Sequence, residues 1–268
     1  MFELLTYEFF QNALLAAVLA AVSCGIIGTY IVSRRIVFIS GGITHASFGG
    51  IGIGYFFGFN PIAGAAVFAV MSALGIEYST RKTDIREDSA IAILWALGMA
   101  IGIIFIYLTP GYTPNLMTYL FGNILIVNLT DLILLLVLCI LIIAFFLLQF
   151  KNILYIAFDE EFAKARRLPV SMIKYVMISL IALTIVFNIR VVGIILVISL
   201  LTIPQTIANM FVKRFYGIML LSVVIALLGT VSGLILSYVF DIPSGAAIIF
   251  FLVMLFFIAR LMNSILKS

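Results

Sequence analysis

The sequence predicts an all-α membrane protein, a bundle of about eight or nine helices that cross the lipid bilayer. Hydrophobic residues make up 65% of the 268-residue chain and charged residues only 10%, whereas a soluble domain is about half apolar and a quarter charged. Apolar runs of about 17 to 24 residues, long enough for a helix to cross the hydrocarbon core, recur along the chain. These observations exclude a soluble globular protein.

Nine such runs can be counted, although eight or ten spans stay possible. The first run is too long for the apolar core of a signal peptide, so we expect no segment to be removed. The connection at 188–190 is very short and Pro204 interrupts the seventh run, so one span is expected to be re-entrant or broken. The runs cover residues 11–33, 36–58, 61–77, 89–109, 130–149, 171–189, 191–211, 216–239 and 244–262.

The basic residues predict how the chain is oriented. If Arg34 and Arg35 are placed in the cytoplasm, fourteen of the fifteen Lys and Arg residues fall on that side, and Arg190 is the exception. By the positive-inside rule, the N-terminus is then outside and the C-terminus in the cytoplasm. The net charge of +4 therefore indicates topology, and we expect the lipid bilayer rather than nucleic acid as a partner.

The second run carries His45, the only histidine of the chain. It follows Arg35 by ten residues, which in a helix is about 15 Å and reaches the middle of a hydrocarbon core of about 30 Å. A histidine at that depth indicates a metal or proton site. The alternative is a histidine that only hydrogen-bonds to a neighbouring helix. The glycine-rich stretches at 41–42 and 49–54 predict that this span is closely packed by other helices.

Hydroxyl side chains surround His45 in sequence. Ser40, Thr44 and Ser47 are three or four residues apart, a spacing that places them near one another on a helix. With the imidazole they would suit transient binding of zinc, manganese or iron(II). The alternative is that each hydroxyl bonds to a carbonyl of its own helix.

Motifs for enzymatic chemistry are missing from the sequence. It contains no phosphate-binding lysine loop, no zinc-protease motif and no serine-hydrolase motif. The two cysteines, Cys24 and Cys139, lie in apolar runs and form no metal-binding pair. We therefore expect a transport protein rather than an enzyme, with no permanently bound cofactor.

Two segments outside the long runs have predicted structure. Residues 112–127 combine apolar residues with Pro114 and several asparagines, which favours a half-helix or interfacial helix at the outer face. Residues 159–168 predict a short cytoplasmic helix with an acidic first turn and a basic last turn, capped by Asp159 and stopped by Pro169. Its exposed Phe162 favours docking into a groove of a partner, and binding along the membrane surface is the alternative.

Six stretches along the chain form a recognisable series of motifs. They are Ser-Gly-Gly-Ile-Thr-His-Ala at 40–46, Glu-Asp-Ser-Ala-Ile-Ala-Ile at 87–93, Tyr-Leu-Phe-Gly-Asn-Ile-Leu at 119–125, Phe-Asp-Glu-Glu-Phe-Ala-Lys-Ala at 158–165, Val-Gly-Ile-Ile-Leu-Val at 192–197 with Pro204, and Asp-Ile-Pro-Ser-Gly at 241–245. Together these stretches resemble the permease subunits of the ABC transporters that take up manganese, zinc or iron. The likeness extends from the first span to the last.

This resemblance implies a single permease domain over 1–268, in a bacterial cell membrane, that forms a dimer. It further implies two copies of a cytoplasmic ATPase and an extracytoplasmic metal-binding protein as partners. The ion would bind only transiently, and a short helix would contact the ATPase. The implied metal-site residues are His45, Thr44, Ser40, Asn123 and Asp241, and the implied ATPase-coupling residues are Asp159, Glu160, Glu161, Phe162, Ala163 and Lys164.

The sequence departs from the family pattern at two acidic positions. Gly41 stands where the family has an aspartate that binds the ion with the histidine, and Asn123 stands where it has another acidic residue. Without these carboxylates the site has less of the hard anionic character that manganese favours. Zinc, iron(II) or a metal chelate therefore stay open as substrates. Asp241 and Asp131 can either contact the ion or cap a helix. Secondary transport with His45 as a proton relay, and a purely structural role, are the remaining alternatives.

Overall fold

The helices of the protein follow the predicted apolar runs. The computed structural model describes residues 6–82, 85–110, 122 and 124–267. Within these residues there are α-helices and a 3-10 helix, Ile124–Ile126, but no strand. The α-helices are α1 (Glu8–Ser33), α2 (Val37–Phe57), α3 (Pro61–Lys82), α4 (Glu87–Leu108), α5 (Leu129–Phe158), α6 (Glu160–Ala165), α7 (Val170–Val192), α8 (Ile194–Leu200), α9 (Ile203–Phe211), α10 (Phe215–Phe240) and α11 (Ser244–Lys267).

In the described part of the chain, nine helical segments are long and apolar enough to cross a membrane. This confirms the predicted all-α class and the count of nine. The orientation of the termini stays a prediction. The predicted half-helix at 112–127 falls mostly on residues outside the described ranges, which include only 122 and 124–127 of it.

Helix α5 is longer than the apolar run that predicted it. The apolar run ends near residue 149, where polar residues begin with Gln149 and Lys151. The helix nevertheless continues to Phe158. Its 30 residues correspond to about 45 Å, which exceeds a hydrocarbon core of about 30 Å. Hydropathy marks the part of a helix that suits lipid, whereas Gln and Lys are themselves good helix formers. The extra turns therefore bring α5 directly to α6.

The seventh apolar run is broken, as the sequence predicted. It forms α8 and α9, and Pro204 lies in the first turn of α9, where its missing N–H costs no hydrogen bond. The amide nitrogen of Gln205, which is fully buried, donates to the carbonyl oxygens of Leu200 at 3.0 Å and of Cys24 in α1 at 2.9 Å. A side-chain amide thus satisfies carbonyls near the break and ties it to α1.

Contacts divide the chain into two units. Within the described residues, unit 1 is drawn from Met1–Arg35, Met117–Phe150 and Asn188–Ser268, and unit 2 from Ile36–Leu116 and Lys151–Phe187. In unit 1, α1 packs on α10, and α10 packs on α11. In unit 2, α2 packs on both α3 and α4.

Close backbone contacts hold α2 within unit 2. A Cβ atom added to Gly50 would lie 2.1 Å from the carbonyl oxygen of Gly64 in α3, and one added to Gly98 in α4 would lie 2.5 Å from that of Ala46. Only glycine permits these approaches, so both neighbours touch the backbone of α2 directly. The prediction that small residues pack this span closely is confirmed.

Candidate metal site and cytoplasmic helix

His45 lies near the middle of α2, and its ring is stacked on Trp95 of α4. The two ring centroids are 4.3 Å apart and the ring planes differ by 4°. Among the residues that the structure describes, the buried imidazole Nδ1 has no hydrogen-bond partner, and the stacked indole orients the ring. Trp95, the only tryptophan of the chain, was not predicted as a site residue, because its contact depends on how α2 and α4 are aligned.

The space beside His45 is shaped by Gly41, one helical turn earlier. A Cβ atom at Gly41 would meet a single neighbour within 4 Å, the Cζ3 atom of Trp95 at 3.9 Å. The indole therefore borders both His45 and Gly41, the position at which the resemblance drawn from the sequence implies a carboxylate. This position has room for a small side chain but carries no charge.

The hydroxyl groups near His45 bond to their own helix. Ser40 donates to the carbonyl oxygen of Val37 at 2.6 Å, Thr44 donates to that of Ser40, and Ser47 donates to that of Thr44 at 2.6 Å. All three side chains are fully buried. Each hydroxyl proton is therefore used in a bond to the helix's own backbone, as the alternative given from the sequence expected. A role as metal ligands for Ser40 and Thr44 stays a prediction.

The other predicted metal ligands are Asn123 and Asp241. Asn123 is outside the described residues. Asp241, in unit 1, ends α10 with a left-handed backbone (φ 52°), and it lines a cleft of about 760 Å³ together with Phe9, Gly122 and Ser237. Among the residues that the structure describes, no three His, Cys, Asp or Glu side chains form a group that could hold a metal ion.

Asp131, the other ambiguous carboxylate, has a structural role in unit 1. Its side chain lies 3.0 Å from Nε of Arg190 and is only 5% exposed. It also accepts from the backbone N–H of Asn128 at 3.3 Å, while its own N–H donates to the Asn128 side chain at 3.0 Å. This ion pair partners Arg190, the exception in the charge pattern, and Asp131 also caps the start of α5.

Helix α6, which the sequence predicts to be cytoplasmic, is shorter than predicted. The Asp159 side chain accepts from the backbone N–H of Phe162 at 2.9 Å, which confirms the predicted cap. The helix ends at Ala165 rather than at 168, because Arg167 adopts a left-handed conformation (φ 57°) and the N–H of Leu168 donates to Ala163 at 3.1 Å. This backbone motif ends a helix before the proline acts.

Charged residues of α6 divide into a half-buried side and an exposed side. Lys174 of α7 places Nζ 3.3 Å from Glu160 and 2.9 Å from Glu77 of α3. Glu161 is 86% exposed and pairs with Lys164 at 2.9 Å. Partial burial acts to raise the pKa of Glu160, but the positive charges of Lys174 and Lys164 outweigh it and hold that pKa below its usual value.

Phe162 completes the exposed side of α6. Its side chain is 40% exposed, lies under the guanidinium of Arg166 at 5.0 Å and contacts the Tyr155 ring edge-on, with centroids 5.5 Å apart. Ala163, on the other side, is fully buried. The helix therefore presents an aromatic ring and two charged residues, Glu161 and Lys164, on its exposed side.

Comparison with known proteins decides the family. The sequence pattern described as the ABC 3 transport family matches residues 6–263. The chain belongs to the ABC 3 transport family. An uncharacterized membrane protein of Synechocystis sp. is 45% identical over 249 residues, which cover 93% of this chain and 89% of that one. A manganese transport system membrane protein, MntC of Listeria monocytogenes, is 34% identical over 258 residues, covering 96% and 92%.

A solved structure agrees with the helices described above. The structure of PsaBC from Streptococcus pneumoniae in complex with Fab contains a chain that is 30% identical, with a TM-score of 0.85, over 96% of this chain and 93% of that one. The resemblance drawn from the sequence is therefore confirmed. This ABC 3 family member is a multi-pass membrane protein of a transport family rather than an enzyme.

Proposed function

We propose that the chain is the permease subunit of an ABC importer that carries a divalent transition metal ion into the cytoplasm. One observation carries the proposal: a buried imidazole nitrogen, without a hydrogen-bond partner in the described part of the chain, lies at mid-span in a helix of an ABC 3 family protein. An ionisable side chain inside a membrane is energetically costly, and such residues typically mark the path of a transported ion. The relatives named as manganese transport proteins support the choice of substrate class.

The donor set limits which ions suit the site. A neutral imidazole binds zinc, iron(II) and manganese, and Gly41 removes the hard carboxylate that favours manganese most. The ion would bind His45 briefly, with the oxygens of Ser40 and Thr44 as further donors, and leave because the hydroxyls are weak ligands. Asp241, on the cleft of unit 1, would be a separate first contact for an arriving ion.

The energy for transport would come from partner chains. The sequence has no phosphate-binding loop, so two copies of a cytoplasmic ATPase would bind a dimer of this chain. Helix α6 lies on the side that the basic residues assign to the cytoplasm. It would contact the ATPase through its exposed residues Glu161, Phe162 and Lys164. An extracytoplasmic metal-binding protein would deliver the ion to the opposite face.

Metal uptake tests this function directly. In bacterial cells that produce the complete transporter, His45→Ala is expected to lower accumulated zinc, manganese and iron by about ten-fold or more, since even indirect damage to a metal site costs that much. Accumulation is measured by inductively coupled plasma mass spectrometry, with membrane abundance checked by immunoblotting. Ser222→Ala, which removes a buried hydroxyl that donates to its own helix in α10, is the matched control and should transport normally.

A metal chelate is the second candidate because Gly41 leaves room beside the Trp95 indole. Uptake of free ions that is unaffected by His45→Ala would remove the imidazole from the pathway. If a labelled metal chelate were then taken up while the free ion was not, the chelate would be the substrate.

A further inference from the structure

Lys174 is the residue on which three separate elements of unit 2 meet. Its ammonium lies 2.9 Å from the carboxylate of Glu77 in α3 and 3.3 Å from that of Glu160 in α6. The Lys174 side chain is 12% exposed and the Glu77 side chain 8%. We call these three residues the lysine cluster. Its members are far apart in sequence, at positions 77, 160 and 174.

The charges of the lysine cluster make it resistant to separation. Two carboxylates share one ammonium, and Lys164 adds a second positive charge 3.3 Å from Glu160. Removing the charge of Lys174 leaves two nearby carboxylates, one of them buried, without their common cation. Buried or half-buried ion pairs of this kind are screened little by water and salt, so the cluster holds α6 at a fixed distance from α3 and α7.

The lysine cluster also begins a continuous path to His45. Glu77 belongs to α3, whose Gly64 backbone contacts Gly50 of α2 so closely that no side chain fits between them. His45 lies on α2. Each step of this path, α6 to Lys174 to α3 to α2, lies within unit 2.

We propose that Lys174 is a positioning residue that links α6 to the spans, so that movement imposed on α6 by the ATPase moves α3 and α2. The inference rests on the proposed function, in which α6 contacts the ATPase. It identifies Lys174 as the residue that connects α6 to the helices beside His45. A fixed link is needed because a helix of six residues that shifted alone would transmit nothing to His45.

Reconstitution in liposomes tests the link. The complete transporter, with its ATPase and binding protein, is assayed for ATP hydrolysis and zinc or manganese uptake in one preparation. Lys174→Met is expected to keep ATP hydrolysis within about two-fold and to lower metal uptake per ATP by about ten-fold, within the range by which single residues change coupling. Lys174→Arg keeps the charge and should retain most of the coupling.

Matched variants separate the link from a general loss of charge. Lys151→Met removes an exposed cytoplasmic lysine at the same end of unit 2 and should leave uptake per ATP unchanged. If Lys174→Met does not accumulate in the membrane, Glu77→Gln is measured instead. It weakens only the connection to α3, and it should uncouple in the same way.

The outcomes distinguish this inference from the proposed function. Unchanged uptake per ATP in Lys174→Met or in Glu77→Gln overturns the role of Lys174 and leaves the proposed function standing. A proportional fall of hydrolysis and uptake also overturns it, because a positioning role predicts that the two separate. If the wild-type complex neither hydrolyses ATP nor takes up metal, the proposed function fails and the inference fails with it.

Discussion

Two polar regions of unit 2 are stabilised in opposite ways. Near the middle of α2, His45 is held by a stacked indole, and the hydroxyls around it bond to their own backbone. In the lysine cluster, Glu77, Lys174 and Glu160 hold one another by charge. The mid-span region leaves a nitrogen without a partner among the described residues, whereas in the lysine cluster both carboxylates contact the same ammonium.

The difference reflects the depth of each region. A formal charge at the middle of a membrane is expensive, so a neutral ring and backbone-bonded hydroxyls are favoured there. In the lysine cluster, the attraction between opposite charges offsets part of the cost of burying them. The proposed function gives these two regions different roles, since the mid-span region would accept an ion and release it, while the lysine cluster would stay connected.

The largest expected effect comes from reversing the charge at Lys174. Lys174→Glu brings three carboxylates together, one of them buried, and should lower the free energy of unfolding by about 3–5 kcal/mol. Thermal unfolding of the purified chain in detergent, with its yield from membranes, measures the loss. Lys151→Glu makes the same change at an exposed position and should cost little. Equal stability of the two variants would show that the cluster does not hold α6.

The next largest effect is expected from a negative charge placed beside His45. Gly41→Asp restores a carboxylate where there is room for it, and it should raise manganese uptake relative to zinc by about ten-fold, or ~1.4 kcal/mol, because manganese prefers oxygen ligands. Competition between the two metals in cells measures the ratio. Gly41→Asn has the same shape without the charge and should leave the ratio unchanged, so an equal change in both variants would contradict the electrostatic explanation.

A smaller effect is expected at Trp95. Trp95→Leu removes the stacking on His45, which is worth roughly 1 kcal/mol for an aromatic pair, and should raise the KM for metal uptake about five-fold with little change in the maximal rate. Trp95→Phe keeps an aromatic face and should behave almost as the wild type. A maximal rate that falls while KM stays constant would argue against orientation of the ring by the indole.

The smallest effect is the pH dependence of the lysine cluster. The pKa of Glu160 lies below its usual value of 4.5, so its ionised form stabilises the folded state. This contribution is complete above pH 4.5 and is lost as the pH falls through the lowered pKa. Thermal unfolding compared between wild type and Glu160→Gln should show a difference at pH 7 that shrinks in more acid buffer. A difference that grows on acidification would have the wrong sign.

Much of the architecture could be predicted because hydropathy and capping are local properties. The nine spans, the break near Pro204 and the Asp159 cap each depend on neighbouring residues. The continuation of α5 to Phe158 was missed, since polar residues that end an apolar run do not end a helix. The end of α6 at Ala165 depends on a backbone conformation that an arginine rarely adopts.

The contacts of the candidate site could be predicted less well. His45 could be singled out from its position in the span, but its partner Trp95 is fifty residues away in sequence and reaches it only through the close packing of α2 and α4. The lysine cluster likewise joins three distant segments. Ion pairs and ring stacks between helices depend on how the helices are aligned, which no local pattern of the sequence encodes.

The central claim, that His45 binds the transported ion, is tested most directly by the fluorescence of Trp95. This is the only tryptophan of the chain and it stacks on the only histidine, so a paramagnetic ion bound to the imidazole lies close enough to quench the indole. Manganese(II), or cobalt(II) as a stand-in for zinc, should quench the purified permease saturably, and His45→Ala should abolish the saturable part. Saturable quenching that persists unchanged in His45→Ala, or the absence of saturable quenching in the wild type, would show that His45 does not bind the ion.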